Sequence, residues 1–512
     1  MSIKNYVSML CGAVLLVESC CVIPCLSADP NTPDPNTLTV DIERAILLAM
    51  ENNRALFVMK LNPEIIETFE AQQRAVFDTT LAGEVSSSRA VQDRLARAGS
   101  GIENQIVDSV NGALLLSKLF PTGTSVQLGA TSRYTDSSLY GDTFVSNRVG
   151  LTVTQALLRG MSVKANTARI EQAKIDALIT EYELRAFTEL LVEEVETRFW
   201  NYALSQKQIE IYTNSLALAE QQMAETQERI TVGTLGETEL AAAKAEVALR
   251  RENLINARSD LAQERLNLLR VMNPSDSVDW DCNVVLEYQA TLPDVTLTDV
   301  EQHVAVALRL RPDLNQARLL IQSGELEVVR TRNGLLPRLD VFIDYGKSGY
   351  ANVFGRAVSD LGRGSYDVTT GLAFEYPPSN RSARAQYHRA AVSRQQLRLA
   401  LENLIQLAQV DVRSAYIEVN RTRQQIAATT ATRESQEENL RAETEKFKVG
   451  RSTSLLVAQV QRDLVASQIA ETEAVANYLK ALVALYRLEG SLLHRRGIAA
   501  PGAEPVTGPG LP

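Results

Sequence analysis

Apolar residues recur every seven positions along two long stretches of the chain, and the two stretches are copies of one another. After Gly233 the series runs Leu240, Val247, Leu254, Leu261 and Leu268. After Gly450 the equivalent positions hold Val457, Leu464, Glu471, Tyr478 and Leu485, with one polar residue among four apolar ones. The offset of 217 also holds for the approach to each glycine: Arg229-Ile230-Thr231-Val232-Gly233 matches Lys446-Phe447-Lys448-Val449-Gly450. A seven-residue period places one apolar seam on a helix, to be buried against another helix. Two copies predict a duplicated coiled-coil architecture.

Each repeat reads as helix, strand region, long helix, turn, helix. Repeat 1 covers 38–273, with helices expected from about Thr39 to Phe77, Ser162 to Thr231 and Glu237 to Met272, and strands up to about Leu158. Repeat 2 covers 297–490, with helices from about Thr298 to Thr331, Ser382 to Lys448 and Ser454 to Glu489, and strands up to about Tyr376. Residues 274–296 read as a linker, and the tail at 491–512, rich in Pro and Gly toward its end, reads as disordered. A helix of about 70 residues reaches roughly 105 Å, and the two shorter helices laid end to end reach about the same. That arithmetic predicts two short helices stacked along one long one. The long helix carries the matching stripe Leu184, Phe187, Leu191, Val195, Phe199 and Tyr202.

The strand regions alternate instead. Val126, Leu128, Ala130 and Tyr134 share one face, against Gln127, Gly129, Thr131 and Arg133 on the other. In repeat 2, Leu339, Val341, Ile343 and Tyr345 alternate with Asp340, Phe342, Asp344 and Gly346. Such strands fit a membrane barrel with lipid outside and water inside, and equally a surface sheet. Over a third of the Phe, Tyr and Trp residues fall in or beside these strands, as an aromatic girdle at a membrane interface would place them. The strand region of repeat 1 is the longer one. A further strand-like stretch at 111–120, turned at Pro121-Thr122-Gly123-Thr124, exceeds two strands per repeat. It reads as an additional hairpin, at the barrel or beneath it.

Composition narrows the class. The chain has 512 residues, a net charge of −10, 5% aromatic residues and three histidines. An acidic chain without a basic stripe excludes nucleic acid as a partner. The N-terminus reads as an export signal over 1–27: Lys4, an apolar run from Tyr6 to Val17, then Cys25-Leu26-Ser27-Ala28. Cleavage there leaves Cys282 as the only cysteine. Lipidation at Cys20 is an alternative, although Glu18 stands where a small residue is wanted. Past the signal no apolar run approaches the ~20 residues of a spanning helix, so a membrane crossing would have to be made of strands. No nucleotide loop, metal-spaced His/Cys cluster or catalytic triad is present. No catalytic, metal or cofactor-binding residue is therefore assigned, and no enzyme activity is expected.

From about residue 38 to 490 the chain resembles the TolC-type outer-membrane efflux and secretion channels. The resemblance rests on the duplicated hairpins, the strands inserted in each repeat, and the tips Ile230-Thr231-Val232-Gly233-Thr234 and Phe447-Lys448-Val449-Gly450-Arg451. Leu151 to Leu157, leading from strand to long helix, and Leu308-Arg309-Leu310-Arg311-Pro312-Asp313-Leu314 add to it. It implies a mainly α fold with membrane β: long helical hairpins, and strands given to a barrel shared by a homotrimer. The barrel would sit in outer-membrane lipid and the helices in the periplasm. Val232, Gly233, Thr234, Val449, Gly450 and Arg451 would form a tip that docks a periplasmic adaptor joined to an inner-membrane pump. The family often carries an acid six residues past the tip glycine. Glu239 stands there in repeat 1 as a constriction candidate, but repeat 2 has Leu456. Asn53-Arg54-Ala55-Leu56 also lacks the proline kept in Arg311-Pro312-Asp313-Leu314. The rival expectation is a soluble periplasmic coiled-coil scaffold or adaptor.

Overall fold

The computed structural model describes residues 37–95, 102–138, 142–233, 235–273, 280–287 and 297–506. The expected signal segment with Cys20, tip residue Thr234 and most of the linker lie outside these residues. Repeat 1 runs through β1 (Thr37–Val40), α1 (Ile42–Asn52), α2 (Arg54–Arg74), β2 (Thr80–Leu95), β3 (Ile102–Leu119), β4 (Thr124–Ser137) and β5 (Phe144–Ala156). It continues with the short α3 (Val163–Asn166), then α4 (Ala168–Thr231) and α5 (Glu237–Met272). After β6 (Asn283–Leu286), repeat 2 follows with α6 (Val300–Leu310), α7 (Pro312–Asn333), β7 (Arg338–Ala351), α8 (Phe354–Asp360), β8 (Tyr366–Glu375), α9 (Arg381–Lys448), α10 (Ser454–Leu488) and α11 (Leu492–Arg495).

The long helices α4 and α9 have 64 and 68 residues, or about 96 and 102 Å at 1.5 Å per residue. Toward the sheet the helices lie side by side in the order α2, α4, α7, α9; toward the turns the order is α5, α4, α10, α9. The seven-residue seam holds these hairpins together. Val247, Leu254 and Leu268 of α5 are buried, as are Val457, Tyr478 and Leu485 of α10, while Leu240, Leu261 and Leu464 are half-buried. Glu471, the polar exception, has partners waiting on α9: Thr430 Oγ1 donates to it at 2.8 Å and Arg433 Nε lies 2.7 Å from its other oxygen. The α4 stripe is buried apart from the half-buried Phe187, with Val195 and Phe199 fully inside.

The opening helices are not continuous as expected. Each breaks where the last helix of its repeat abuts it. At the first break the Asn53 side chain caps α2 by accepting from Leu56 N at 3.1 Å, and its amide donates to Val271 O at 3.1 Å. Asn273, with φ +42°, ends α5 and donates to Asn52 O at 3.0 Å. At the second break Pro312 opens α7, where its missing N–H costs nothing. Gly490, with φ +72°, lies so close that an added Cβ would be 3.0 Å from Arg311 N. Two asparagines thus build in repeat 1 the junction that proline and glycine build in repeat 2.

The expected linker and tail need correction. β6, inside the expected linker, pairs in parallel with β1, Leu38 opposite Val284. The tail packs as far as residue 506. Leu492 and Leu493 are fully buried, and Ile498 and Ala500 pack on the same core. Arg496 Nε binds Glu196 Oε1 at 2.7 Å, the Tyr182 hydroxyl donates to Glu504 O, and Val506 N donates to Asn315 Oδ1 at 3.0 Å. The physical reason is charge as well as apolar closure, because Glu196 and Glu489 are buried and draw Arg496 and Arg495 from this segment. Burial alone would raise the pKa of Glu489. Hydrogen bonds from His303 and Ser491 and the charge of Arg495 outweigh it and hold the carboxyl below its usual range.

Candidate channel wall and hairpin tips

Six strands form one antiparallel sheet in the order β2-β3-β4-β5-β7-β8. The stretch at 111–120 belongs to β3 and its turn. With β2 it makes an added hairpin, hydrogen-bonded to β4. The alternation of each strand becomes two continuous faces through the register. One row across the sheet reads Leu81, Leu116, Leu128, Leu151, Tyr345, Val368; the next reads Thr80, Ser117, Gln127, Thr152, Asp344, Thr369. The apolar row has no cover: Leu81 is 72% exposed and, on the same face, Leu372 is 68% exposed. Contiguous exposed apolar surface of this extent belongs against lipid or a partner.

The polar face carries a charge cluster. Arg148 Nη2 lies 2.6 Å from Asp344 Oδ1 and 2.5 Å from Asp367 Oδ2, and Thr152 Oγ1 donates to Asp344 at 2.6 Å. Gly346 makes room for it, since a Cβ there would lie 2.6 Å from the guanidinium. The cluster ties β5, β7 and β8 together on the side suited to water. At the far end of the sheet α8 lies over the apolar face at Gly349, where a Cβ would be 2.2 Å from Ala357 O.

At the opposite end of the molecule both hairpins turn on glycine. Val232 N donates to Glu228 O at 3.0 Å and Gly233 N to Ile230 O at 2.9 Å; Gly233 has φ +80°. In the second hairpin Gly450 N donates to Phe447 O at 3.0 Å and Arg451 N to Lys446 O at 2.8 Å, with φ +75° at Gly450. Each is a left-handed C-terminal cap. A Cβ at either glycine would meet nothing within 4 Å, so backbone conformation alone asks for glycine. Val232 and Val449 are 73% and 70% exposed, apolar side chains displayed to solvent.

The two turns are neighbours. The Arg229 guanidinium stands 5.2 Å from the centre of the Phe447 ring. Glu239, expected at a constriction, accepts a hydrogen bond from Ser454 Oγ at the start of α10, which latches the hairpins to each other. Glu443 accepts from Ser452 and from Lys446, and these contacts hold its carboxyl below the usual range. Neither cross-hairpin contact was read from the sequence. The signal was present, since Glu237 and Ser454 are equivalent under the 217 offset and open parallel helices. The polar runs from Glu220 to Arg229 and from Arg433 to Lys446 are mostly exposed.

A stalk of paired long helices, carrying a sheet with one lipid-suited and one water-suited face, defines a class: the outer-membrane channel subunit. The model of the outer membrane efflux protein family matches residues 117–273 and 304–491. With more than half its length matched, the chain belongs to the outer membrane efflux protein family. It is similar in fold to a membrane protein from Pseudomonas aeruginosa at 20% identity, with a TM-score of 0.65 over 88% of this chain and 93% of that one. CusC, described in terms of folding and transmembrane channel formation, is 18% identical with a TM-score of 0.65, covering 90% and 95%. The Campylobacter jejuni CmeC outer membrane channel is 14% identical with a TM-score of 0.65, covering 88% and 86%. No curated protein matches the chain. The protein is therefore an outer-membrane efflux channel of TolC-like fold, its helical part periplasmic. The soluble scaffold reading is set aside.

Proposed function

We propose that three copies close around one axis into a continuous conduit, and that the hairpin tips dock a periplasmic adaptor coupled to an inner-membrane pump. The observation that carries the closure is a pair of unpartnered apolar stripes on the two edge helices. On α2 the exposed residues are Val58, Leu61, Ile65 and Phe69; on α9 they are Val392, Leu399, Val410 and Ile417. Both follow helical spacing and both face away from the chain's own core. In a ring, the α9 stripe of one copy meets the α2 stripe of the next, and the sheets close above them. Open strand edges are not tolerated in lipid, which makes ring closure a requirement of the sheet as well as of the helices.

The conduit carries out no reaction of its own. It conducts down a gradient, so a coupled pump must supply the energy for efflux or for type I secretion. The exposed Val232 and Val449, on left-handed glycine turns, suit an adaptor that reads apolar knobs and open backbone. Light scattering of detergent-extracted protein tests the closure. Three chains per particle, retained in the outer membrane through a high-salt wash, are expected. A single chain released by salt overturns the proposal.

A further inference from the structure

The hairpin β2–β3 lies almost wholly outside the stretch matched by the family model, which begins at residue 117. We infer that this hairpin is part of the membrane wall, so that each copy contributes six strands and β2, not β4, pairs with β8 of the next copy. The inference rests on the three-copy channel proposed above and goes beyond it by assigning which edges meet.

Three observations carry it. First, the lipid-suited belt runs on through the hairpin and keeps its slope. The lower limit of the belt is Phe374 on β8 but Leu81 on β2, and Leu81 shares a row with Val368. The limit thus climbs six residues (374 − 368) over five strand steps. At about 3.3 Å per residue and 4.8 Å per strand that slope is about 40°, the tilt strands adopt in a closed barrel. A hairpin folded beneath the barrel would have no reason to keep this drift. The belt also ends properly: eight residues above Leu81 the outward Arg89 and Asp108 pair at 3.7 Å. At that tilt the stretch between stands roughly 20 Å tall, close to an outer-membrane apolar band.

Second, the other face of the hairpin is mainly polar, with Thr80, Glu84, Ser86 and Ser88 opposite Ser117, Asn111 and Ser109, and with Ala82, Ala113 and Leu115 among them. Thr80 and Ser117 share a hydrogen bond at 2.6 Å, and Ser88 and Ser109 share one at 2.8 Å.

Third, the widths agree. Toward the sheet each copy presents four helices, α2, α4, α7 and α9. At about 9 Å between axes these cover roughly 36 Å of the ring. Six tilted strands cover about 37 Å, whereas four cover only about 25 Å. β2 rises directly from α2 at one edge and β8 descends into α9 at the other. Where α9 meets the next copy's α2, β8 therefore meets that copy's β2, antiparallel. The eighteen-stranded ring is in the range that leaves an aqueous channel.

Disulfide trapping distinguishes the edges. In the Cys282→Ser chain, Thr369→Cys on β8 is combined in turn with Thr80→Cys, Ala82→Cys or Glu84→Cys on β2. It is also combined with Ser125→Cys, Gln127→Cys or Gly129→Cys on β4. Oxidised outer membranes run without reductant should give covalent dimers and trimers for at least one β2 pair and for no β4 pair. Trapping through β4, or no trapping by any pair in protein that is trimeric in detergent, overturns the inference. Protein that is a single chain in detergent overturns the channel proposal itself, and this inference with it. A readout free of disulfides is a fluorophore on Val85→Cys in vesicles of brominated lipid. It should be quenched as strongly as one on Leu372→Cys, and an unquenched label on Val85→Cys also overturns the inference.

Discussion

The tip glycines give a prediction that separates backbone conformation from the mere absence of a side chain. Gly233 and Gly450 hold φ of +80° and +75°, with nothing within 4 Å of where a Cβ would stand. Replacement by valine therefore meets no steric wall, and the penalty is that of a β-branched residue in the left-handed region. That penalty is about 1–2 kcal/mol per turn. Asparagine tolerates the same region at little cost. The turns are exposed and lie far from the buried junction, so neither substitution should move the thermal midpoint of the helices. If the adaptor reads the native turn, each strained tip should weaken docking by about 5–30-fold. Gly233→Asn with Gly450→Asn should dock nearly as the wild type does, and Gly233→Val with Gly450→Val should lose both docking and efflux. The assay is adaptor pull-down from crosslinked membranes, paired with dye efflux from cells. Valine variants that dock and pump normally would refute the docking role. Asparagine variants as defective as the valine ones would show that bulk, not conformation, is what the tip excludes.

Three further outcomes follow from the buried junction. Phe199 is fully buried at the meeting of α4, α5 and the tail, so Phe199→Ala should cost about 3–5 kcal/mol and lower the melting point of the helical signal in circular dichroism. Arg496→Leu would leave the buried Glu196 carboxylate without its cation. A loss of about 3–5 kcal/mol is expected, with proteolytic release of the segment after Gly490 as its readout. Burial pushes the Glu189 carboxyl up to about 7 against the opposing effect of Arg185. Because the folded value lies above the unfolded one, the stability this group contributes is present below about pH 4.5 and is lost as pH rises through 7, amounting to about 3 kcal/mol at most. Denaturation of wild type and Glu189→Gln across that window should give different pH slopes, the variant's being flatter; parallel slopes would contradict the assignment.

The hairpins were legible because their signal is periodic and doubled. The span of α5 was readable to the residue, since Gly236 precedes it, Asn273 stops it, and seven-residue spacing runs between them. The strands showed their alternation, but alternation cannot say which strand pairs with which. Only the register revealed that β3 continues the sheet and that Leu81 belongs to the same row as Val368. The opening helices misled because Asn53 breaks one by side-chain capping, a weaker sequence mark than Pro312 in the other. The tail misled in another way. Its Pro and Gly content reads as loose chain, while much of its order comes from Glu196 and Asn315, 300 and 191 residues from their partners Arg496 and Val506. Tertiary charge pairing of that kind leaves no local pattern. Likewise, the tip glycines were visible from sequence, but the cross-hairpin bond from Ser454 to Glu239 needed the two hairpins side by side.

The central claim is that this sheet and these helices line a water-filled hole. Purified, detergent-extracted protein added to a planar lipid bilayer measures it directly. Discrete, uniform current steps are predicted, each marking the insertion of one assembled pore. Folded trimers that insert into the bilayer and pass no current would contradict the claim.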